Sequence, residues 1–462
     1  MLRHLVAVGT SIVLLAACSP SPPTYPEVAA PDSHTPTACS ATPATAASLA
    51  DWSVYHRSPD RHGVDDLSPP LGKLAAAWGD LLDGQLLASP VVVGDLAIAA
   101  TENDTVYGLS VATGCVAWSA HLGEPVDATR QRCYPFPVIG ITSTPAIDAE
   151  AGLVYVLAYL QPDLHRLFAL DLKSGAIRFR RDVDPAGSDP PTQLTRAALT
   201  LANGRVYAAF GGRAGDCGNY RGFVLGLAPD LSGEPDLYTV PSKREGGIWT
   251  PAGLTGLDGG DLLVATGNGS STTAYDGGNS VLRLSPTLKL VDSFAPANWA
   301  DLNGRDLDVG SVGPTLVDGG RVFQVGKEGV GYLLDVNHLG GIGGQLRSAS
   351  LQGCYAIGGT AYRAPFVYVP CDHGMKAVDV SGGSLHVAWK TLDIRSGSPI
   401  VAGGVVWNID FEGGYLYGFS PRDGSVKVRS RVGVAGHFVS PSASNGRLFV
   451  PAGKYLLAYT GI

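Results

Sequence analysis

The chain has 462 residues, a formal net charge of −8 and 16% charged residues, whereas typical domains carry about 25% charged residues. The negative net charge argues against nucleic acid and against anionic lipid as the main partner. The 61 glycines suit a chain with many tight turns, and long amphipathic helical patterns are absent.

The N-terminus predicts export and a lipid anchor. A basic start is followed by an apolar stretch, Leu5 to Leu15, that is too short to span a bilayer. Leu15-Ala16-Ala17-Cys18 then resembles a bacterial lipobox, in which the freed Cys18 receives a diacylglyceryl thioether. We expect residues 1–17 to be a lipoprotein signal peptide and Cys18 to anchor the protein on the extracytoplasmic side of a bacterial membrane. An ordinary signal peptide with a chance cysteine is the alternative.

Residues 18–50 are rich in proline, alanine, serine and threonine, a composition that cannot build a core. We expect this segment to be a flexible tether that holds residues 51–462 off the membrane.

The stretch from Ser89 to Trp118 is typical of one four-stranded antiparallel sheet. Short runs of small and β-branched residues alternate with the turn signals Gly94-Asp95, Asn103-Asp104 and Thr113-Gly114. A single sheet of this kind cannot bury both of its faces, so it needs copies of itself as neighbours.

Seven further copies of this unit follow along the chain. Two of them start at Thr195 and Gly358, and the other copies open on a proline, as the first unit does at Pro90. These proline openers are Pro145, Pro251, Pro314, Pro399 and Pro441.

The last copy ends at Ile462 after only three strands, and its fourth strand must come from elsewhere. Leu74 to Trp78 matches the fourth strand of the first unit and lies just before it. An N-terminal strand that completes the last sheet would close a ring and remove its open edge. The sequence therefore predicts an all-β fold, an eight-bladed β-propeller of four-stranded antiparallel blades closed by an N-terminal strand. Several separate small β domains are the alternative.

This pattern resembles the pyrroloquinoline-quinone-type eight-bladed β-propellers, the repeat family of the quinoprotein alcohol dehydrogenases, and also the propeller lipoproteins of outer-membrane assembly. Residues 51–63, DWSVYHRSPDRHG, are similar to the segment that precedes the first blade in this family. The resemblance covers residues 51–462. It implies the fold, but the fold hosts unrelated activities.

Seven cysteines are present, and six remain if Cys18 carries lipid. An even number in an exported protein suggests disulfides, and six cysteines allow fifteen pairings. Blade topology favours Cys354 with Cys371 and Cys133 with Cys217, because each of these pairs lies on loops of one face. Cys39 with Cys115 is then left as the third pair.

The resemblance also implies a site for the quinone and a calcium ion at the mouth of the central channel, if the protein is an enzyme. Asn268, at the end of a strand that closes on Gly-Asn, matches a calcium ligand of the family, and Asp276 lies near the family's catalytic aspartate. Lys327 resembles the cation that contacts the quinone. In this hypothesis Asn268 and Asp276 serve the metal, Asp276 is also the base toward the alcohol, and Lys327 binds the cofactor.

The sequence also departs from that pattern. The stretch Gly215 to Tyr220 lacks the calcium-binding glutamate of the family, although Asp216 offers a shorter carboxylate, and no two cysteines are adjacent. Turn chemistry explains Asn268 and Asp276 equally well, and Lys327 is explained by a solvated rim charge.

Two functional classes therefore remain open. The first is a membrane-anchored binding or scaffold module without cofactor, which would be a monomer with a protein or cell-envelope partner. The second is a dehydrogenase of alcohols or sugars that depends on pyrroloquinoline quinone and calcium. The missing glutamate and the missing paired cysteines favour the first.

Overall fold

The structure, a computed structural model, describes residues 25–130 and 137–462. One short α-helix, Trp299–Gly304, is present, and the 3₁₀ turns are Ala128–Arg130, Pro190–Thr192, Val309–Ser311 and Ser381–Gly383. Nowhere in the described ranges is a helix both long and apolar enough to cross a membrane.

The described residues form eight sheets that share a four-stranded antiparallel meander, which we number in chain order of their first strands. Sheet 1 contains Val91–Val93, Leu96–Ala100, Thr105–Ser110 and Val116–His121; sheet 2 contains Ala146–Asp148, Leu153–Leu160, Leu164–Asp171 and Ile177–Asp182; sheet 3 contains Thr200–Ala202, Arg205–Gly212, Phe223–Leu227 and Asp236–Thr239; sheet 4 contains Thr255–Gly256, Leu262–Ala265, Val281–Leu284 and Leu290–Ala295.

The remaining four sheets repeat the same order of strands. Sheet 5 contains Thr315–Val317, Arg321–Val325, Val330–Asp335 and Arg347–Ser350; sheet 6 contains Ala361–Arg363, Phe366–Val369, Lys376–Asp379 and His386–Lys390; sheet 7 contains Ile400–Ala402, Val405–Asp410, Tyr415–Phe419 and Val426–Arg431; sheet 8 contains Ser442–Ser444, Arg447–Ala452, Tyr455–Thr460 and Ala75–Leu81.

Short extra strands extend this pattern. Val126–Asp127 pairs with Val138–Ile139 in a separate two-stranded sheet. The others add to the numbered sheets: Gln193–Leu194 to sheet 3, Gly341–Ile342 to sheet 4, Glu27–Val28 and Val64–Asp65 to sheet 7, and Ser33–His34 to sheet 8.

Sheet 8 takes its fourth strand from the N-terminal part of the chain. Ala75–Leu81 runs antiparallel to Tyr455–Thr460, with Leu81 opposite Tyr455 and Ala75 opposite Thr460. The chain ends and the start of the repeats are thus joined in one sheet.

The hydrophobic core consists of clusters that each join consecutive sheets. Sheets 1 and 2 share one cluster, and further clusters join each following pair up to sheets 6 and 7. The largest cluster joins sheets 7, 8 and 1, so the series of contacts returns to its start. Because both faces of a sheet are covered in this way, inner strands such as Leu96–Ala100 are buried along their whole length.

Tryptophans on fourth strands fix the contacts between some neighbouring sheets. The indole N–H of Trp78 donates to the carbonyl of Val111 in sheet 1, and that of Trp118 donates to the carbonyl of Leu172 in sheet 2, both at 3.0 Å. Gly114 and Gly175 have positive φ and lie against these rings, where any side chain would collide with the indole.

Residues 50–63, which we call the hub segment, make hydrogen bonds to the first strand of every one of the eight sheets. The partners are Val92 in sheet 1, Ile147 in sheet 2, Thr200 in sheet 3, Gly256 in sheet 4, Leu316 in sheet 5, Tyr362 in sheet 6, Val401 in sheet 7 and Ser444 in sheet 8. This arrangement gives residues 51–63 a clear structural role, because a single segment ties all the sheets together at one end.

The structure corrects the prediction of a flexible tether for the part from Glu27 to Cys39. Glu27–Val28 and Ser33–His34 add parallel strands to the outer edges of sheets 7 and 8, and Cys39 forms a disulfide with Cys115 in front of the outer strand of sheet 1. Composition missed this because the pairing uses backbone groups, which proline-poor stretches of any polarity can supply.

Candidate functional site

A cavity of about 210 Å³ lies where loops from several sheets converge. Its lining combines three basic, three acidic and four aromatic side chains: Arg196, Arg213, Lys327, Asp216, Asp306, Asp308, Tyr220, Trp249, Tyr355 and Phe438. Arg196, Asp308 and Phe438 precede the first strands of sheets 3, 5 and 8, whose strands then run to the hub segment. The cavity and the hub segment therefore lie at opposite ends of the first strands.

Lys327 is held between two aspartates on the wall of this cavity. Its Nζ lies 2.8 Å from Asp306 Oδ1 and 2.6 Å from Asp308 Oδ2. Asn268 completes the network, because its backbone N–H donates to Asp308 Oδ1 at 2.6 Å and its side-chain amide donates to Asp306 Oδ1 at 2.7 Å. The structure thus brings together Asn268 and Lys327, and it adds Asp306 and Asp308 to them.

Two glycines allow the strands of sheets 4 and 5 to approach this carboxylate. A Cβ on Gly267 would lie 2.6 Å from Asp308 Oδ1, and a Cβ on Gly326 would lie 2.2 Å from the Asp308 carbonyl oxygen. The Gly-Asn and Gly-Lys pairs in the sequence are therefore explained by close packing around Asp308.

Burial and charge pairing oppose each other in this network. Burial raises the pKa of Asp308 to about 6, although Lys327 and the Asn268 N–H act to lower it. Burial alone would lower the pKa of Lys327, but Asp308 and Asp306 more than offset this and raise that pKa above its usual range. Lys327 therefore stays protonated at neutral pH, with a buried carboxylate as its partner.

The opposite part of the lining is aromatic and basic. The Arg196 guanidinium lies over the Phe438 ring at 3.7 Å from its centroid, and Trp249 meets Phe438 edge to face at 6.0 Å. Lys327 Nζ lies 5.6 Å from the Trp249 ring centroid. A flat ligand would find ring faces and cations on the same side of the cavity.

Asp276 lies outside this constellation. Its carboxylate accepts hydrogen bonds from the Ser242 hydroxyl at 2.8 Å, from the Ser271 N–H at 3.2 Å and from the Gly278 N–H at 3.3 Å, and it does not line the cavity. These contacts are those of an aspartate that fixes a turn. Asp308 holds the position beside Asn268 and Lys327 that the sequence hypothesis gave to Asp276.

The oxygens that a calcium ion would need are already engaged. Asn268 Oδ1 accepts from the Asn279 amide at 3.2 Å, Asp308 is bonded to Lys327, and Asp216 Oδ1 accepts from the Tyr220 hydroxyl. Within residues 25–130 and 137–462, no group of three His, Cys, Asp or Glu side chains could hold a metal ion. The donor set does not fit calcium, whereas the ring faces and cations fit a planar acceptor-bearing molecule.

Two of the three predicted disulfides are present. Cys39 pairs with Cys115, and Cys354 pairs with Cys371 at the start of the loop that carries Tyr355 into the cavity. Cys217 is also disulfide-bonded, but Cys133, its predicted partner, lies outside the described residues, as does the lipidation candidate Cys18.

The sequence gave no signal for Arg196, Trp249, Tyr355 and Phe438 as site residues. They come from loops of four different sheets, and each stands alone in its loop. Only the ring arrangement brings them together.

Comparison with known proteins agrees with this fold. The family described as outer membrane protein assembly factor BamB matches residues 75–209. No curated protein matches the sequence.

Solved structures of the same fold cover most of the chain. Quinohemoprotein alcohol dehydrogenase from Comamonas testosteroni is 16% identical with a TM-score of 0.69, over 90% of this chain and 81% of that one. BamB from Moraxella catarrhalis is 17% identical with a TM-score of 0.58, over 84% and 98%. A europium-containing methanol dehydrogenase is 13% identical with a TM-score of 0.67, over 87% and 90%. At these identities the likeness shows the fold, a propeller of the pyrroloquinoline-quinone type.

Proposed function

We propose that this pyrroloquinoline-quinone-type propeller is a membrane-anchored extracytoplasmic binding module, and that it binds a small planar ligand in the cavity opposite the hub segment. The observation that carries the proposal is the convergence of ring faces and cations on one wall, with Arg196 stacked on Phe438 and Lys327 beside Trp249. Pockets of this kind, with aromatic walls and a few fixed polar groups, are the usual form of ligand sites.

We also infer that the eight sheets are eight blades of one ring, closed by the N-terminal strand. The hub segment supports this arrangement because it bonds to all eight first strands. With the hub segment at one end of the ring, the ligand would enter and leave through the other end alone.

Anchoring through lipid on Cys18 belongs to the same proposal. The lipobox-like sequence supports it, as does the position of the first paired strand, Glu27–Val28, only nine residues after Cys18. A linker of nine residues spans at most about 32 Å, so the outer edge of sheet 7 would lie close to the membrane.

A quinone-dependent dehydrogenase of alcohols or sugars is the second candidate. The contact between Asp308 and Lys327 at the cavity wall favours it, because a buried carboxylate with a raised pKa suits proton transfer. In this candidate Asp308 would accept the substrate proton at a carboxylate oxygen, and Lys327 would orient an acceptor oxygen of the ligand. No step requires calcium.

The test is a titration of the full-length protein with pyrroloquinoline quinone as the probe, monitored through tryptophan fluorescence. We expect saturable quenching that Trp249→Phe reduces, whereas Trp389→Phe, at the outer contact of sheets 6 and 7, leaves it unchanged. Arg196→Met should weaken binding about tenfold, equivalent to about 1.4 kcal/mol. Arg178→Met on the outer strand of sheet 2 is the charge-matched control.

The same samples separate the two candidates. Dye reduction with alcohols or sugars that is lost in Asp308→Asn would favour the dehydrogenase, whereas binding without turnover would favour the binding module. If the probe does not bind at all, the proposed ligand site is wrong.

A further inference from the structure

The most unusual feature of the cavity is a lysine at the point where enzymes of this fold are expected to hold a divalent cation. We propose that the Lys327 ammonium is the fixed cation of this site, so that the cavity takes planar ligands with an acceptor oxygen without calcium. This inference rests on the proposed function for the ligand, but its statement about the metal stands by itself.

The position of the ammonium supports this role. Lys327 Nζ touches both Asp306 and Asp308, at 2.8 and 2.6 Å, and its side chain is only 10% exposed. An ammonium has three N–H donors, of which the two carboxylates use two. Because Lys327 also lines the cavity, the third donor is available to an oxygen of a ligand that lies on Trp249.

The surrounding oxygens leave no place for a calcium ion. Calcium takes six to eight oxygens at about 2.3–2.6 Å. Here both oxygens of Asp308 are bonded, Oδ1 to the Asn268 N–H and Oδ2 to Lys327, and the Asn268 oxygen faces the Asn279 amide. An ion could enter only if the ammonium left.

The charge balance leads to a specific expectation for variants. Asp306 and Asp308 carry two negative charges, and Lys327 neutralises one of them. Without the lysine, the two carboxylates and the Asn268 amide would form a dianionic pocket, which suits a divalent cation. Lys327→Met should therefore gain an affinity for calcium that the wild-type protein lacks.

The experiment uses full-length detergent-solubilised protein, first stripped of metal with a chelator. Wild type should give no binding heat with calcium alone and no change in melting temperature. Lys327→Met should melt lower in chelator and recover when calcium is added, while Lys327→Arg should behave like wild type. If Lys327→Met does not fold, Lys327→Gln removes the charge with less loss of polarity.

A second arm uses pyrroloquinoline quinone as the probe, with chelator or with calcium. Wild type should bind it with the same affinity within about twofold in both, and Lys327→Met should bind at least about tenfold more weakly in chelator.

Calcium binding by the wild-type protein, or quinone binding that requires calcium, would overturn the inference. A neutral variant that folds but does not respond to calcium would also overturn it. Absence of quinone binding under both conditions would count against the proposed ligand, while the calcium arm would still decide the role of Lys327.

Discussion

At the scale of single residues, the hub segment depends on one buried cation. Arg61 is 3% exposed and donates four hydrogen bonds, to the carbonyls of Tyr55, Leu199 and Leu254 and to the Thr200 hydroxyl. Burial lowers its pKa only to about 10, so it stays charged at neutral pH. It therefore links the hub segment to sheets 3 and 4 through charge-assisted bonds.

We predict that Arg61→Met lowers the free energy of unfolding by on the order of 3 kcal/mol or more, because it leaves buried carbonyls without donors. Urea denaturation monitored by circular dichroism measures the change. Arg178→Met, an exposed arginine on the outer strand of sheet 2, should change it by less than about 0.5 kcal/mol. Equal stability of the two variants would contradict a central role for Arg61.

A buried pair of acids between sheets 1 and 2 makes the stability depend on pH. Asp104 is fully buried and both of its carboxylate oxygens lack a hydrogen-bond partner. Burial, with the nearby charges of Glu102, Asp83 and Glu124, raises the pKa of Asp104 to about 9, and burial raises the pKa of Glu102 to about 7. Both acids are therefore more easily protonated in the folded state than in the unfolded chain.

A raised folded-state pKa stabilises the protein at low pH, and this stability is lost as the pH rises toward the folded-state value. The free energy of unfolding should fall by a few kcal/mol between pH 5 and pH 9, since one pKa unit corresponds to about 1.4 kcal/mol. Asp104→Asn should flatten this dependence and be more stable than wild type at pH 9, whereas exposed Asp301→Asn should keep it. Parallel pH profiles for wild type and Asp104→Asn would refute the assignment.

At the scale of elements, the joint between sheets 8 and 1 uses the same device as the joint between sheets 1 and 2. Trp78 and Trp118 occupy matching positions on fourth strands, are 5% and 7% exposed, and donate to the next sheet. If the N-terminal strand closes the ring, Trp78→Ala should destabilise the protein as much as Trp118→Ala, by about 3–5 kcal/mol.

Denaturation of the two variants provides the measurement, and hydrogen exchange adds a local control. Tyr455–Thr460, the neighbour of the N-terminal strand, should exchange faster in Trp78→Ala than in Trp118→Ala. A mild Trp78→Ala variant beside a severe Trp118→Ala variant would indicate that the N-terminal strand is dispensable to sheet 8.

Local signals in the sequence were sufficient for the strands and for the pairing of sheet 8. Turn residues such as Gly94-Asp95 and apolar runs such as Leu96–Ala100 are set by neighbouring residues, so they can be recognised in one chain. The pairing of Glu27–Val28 with sheet 7 could not be recognised, because it depends on backbone groups exposed some 400 residues later. Long-range pairing of this kind leaves no mark in composition.

The same distinction explains the site. Asn268 and Lys327 follow recognisable Gly-Asn and Gly-Lys pairs, and the structure places them in one network with Asp308. Asp276 is close to Asn268 in sequence but faces a turn, whereas Asp308 is forty residues away and faces the cavity. Which aspartate approaches the lysine depends on the loop before sheet 5, whose path no local pattern specifies.

At the scale of the whole molecule, the first question is how the propeller is held in the cell. Cys18→Ala should leave an unlipidated precursor that stays in the soluble fraction on detergent phase partitioning, because one cysteine carries the whole anchor. Intact-mass analysis of the wild-type protein should find diacylglyceryl on the mature N-terminus. A wild-type N-terminus without lipid mass would reject the anchor and leave the fold and the cavity unaffected.

The central claim is that one cavity, closed below by the hub segment, is where this propeller binds its ligand. Hydrogen–deuterium exchange with and without saturating pyrroloquinoline quinone tests it most directly. We predict slower exchange in the loops that carry Asp216, Asp308, Lys327 and Tyr355, and unchanged exchange on the outer strands of sheets 2 and 6. Protection confined to those outer strands, or no protection at all, would contradict the account.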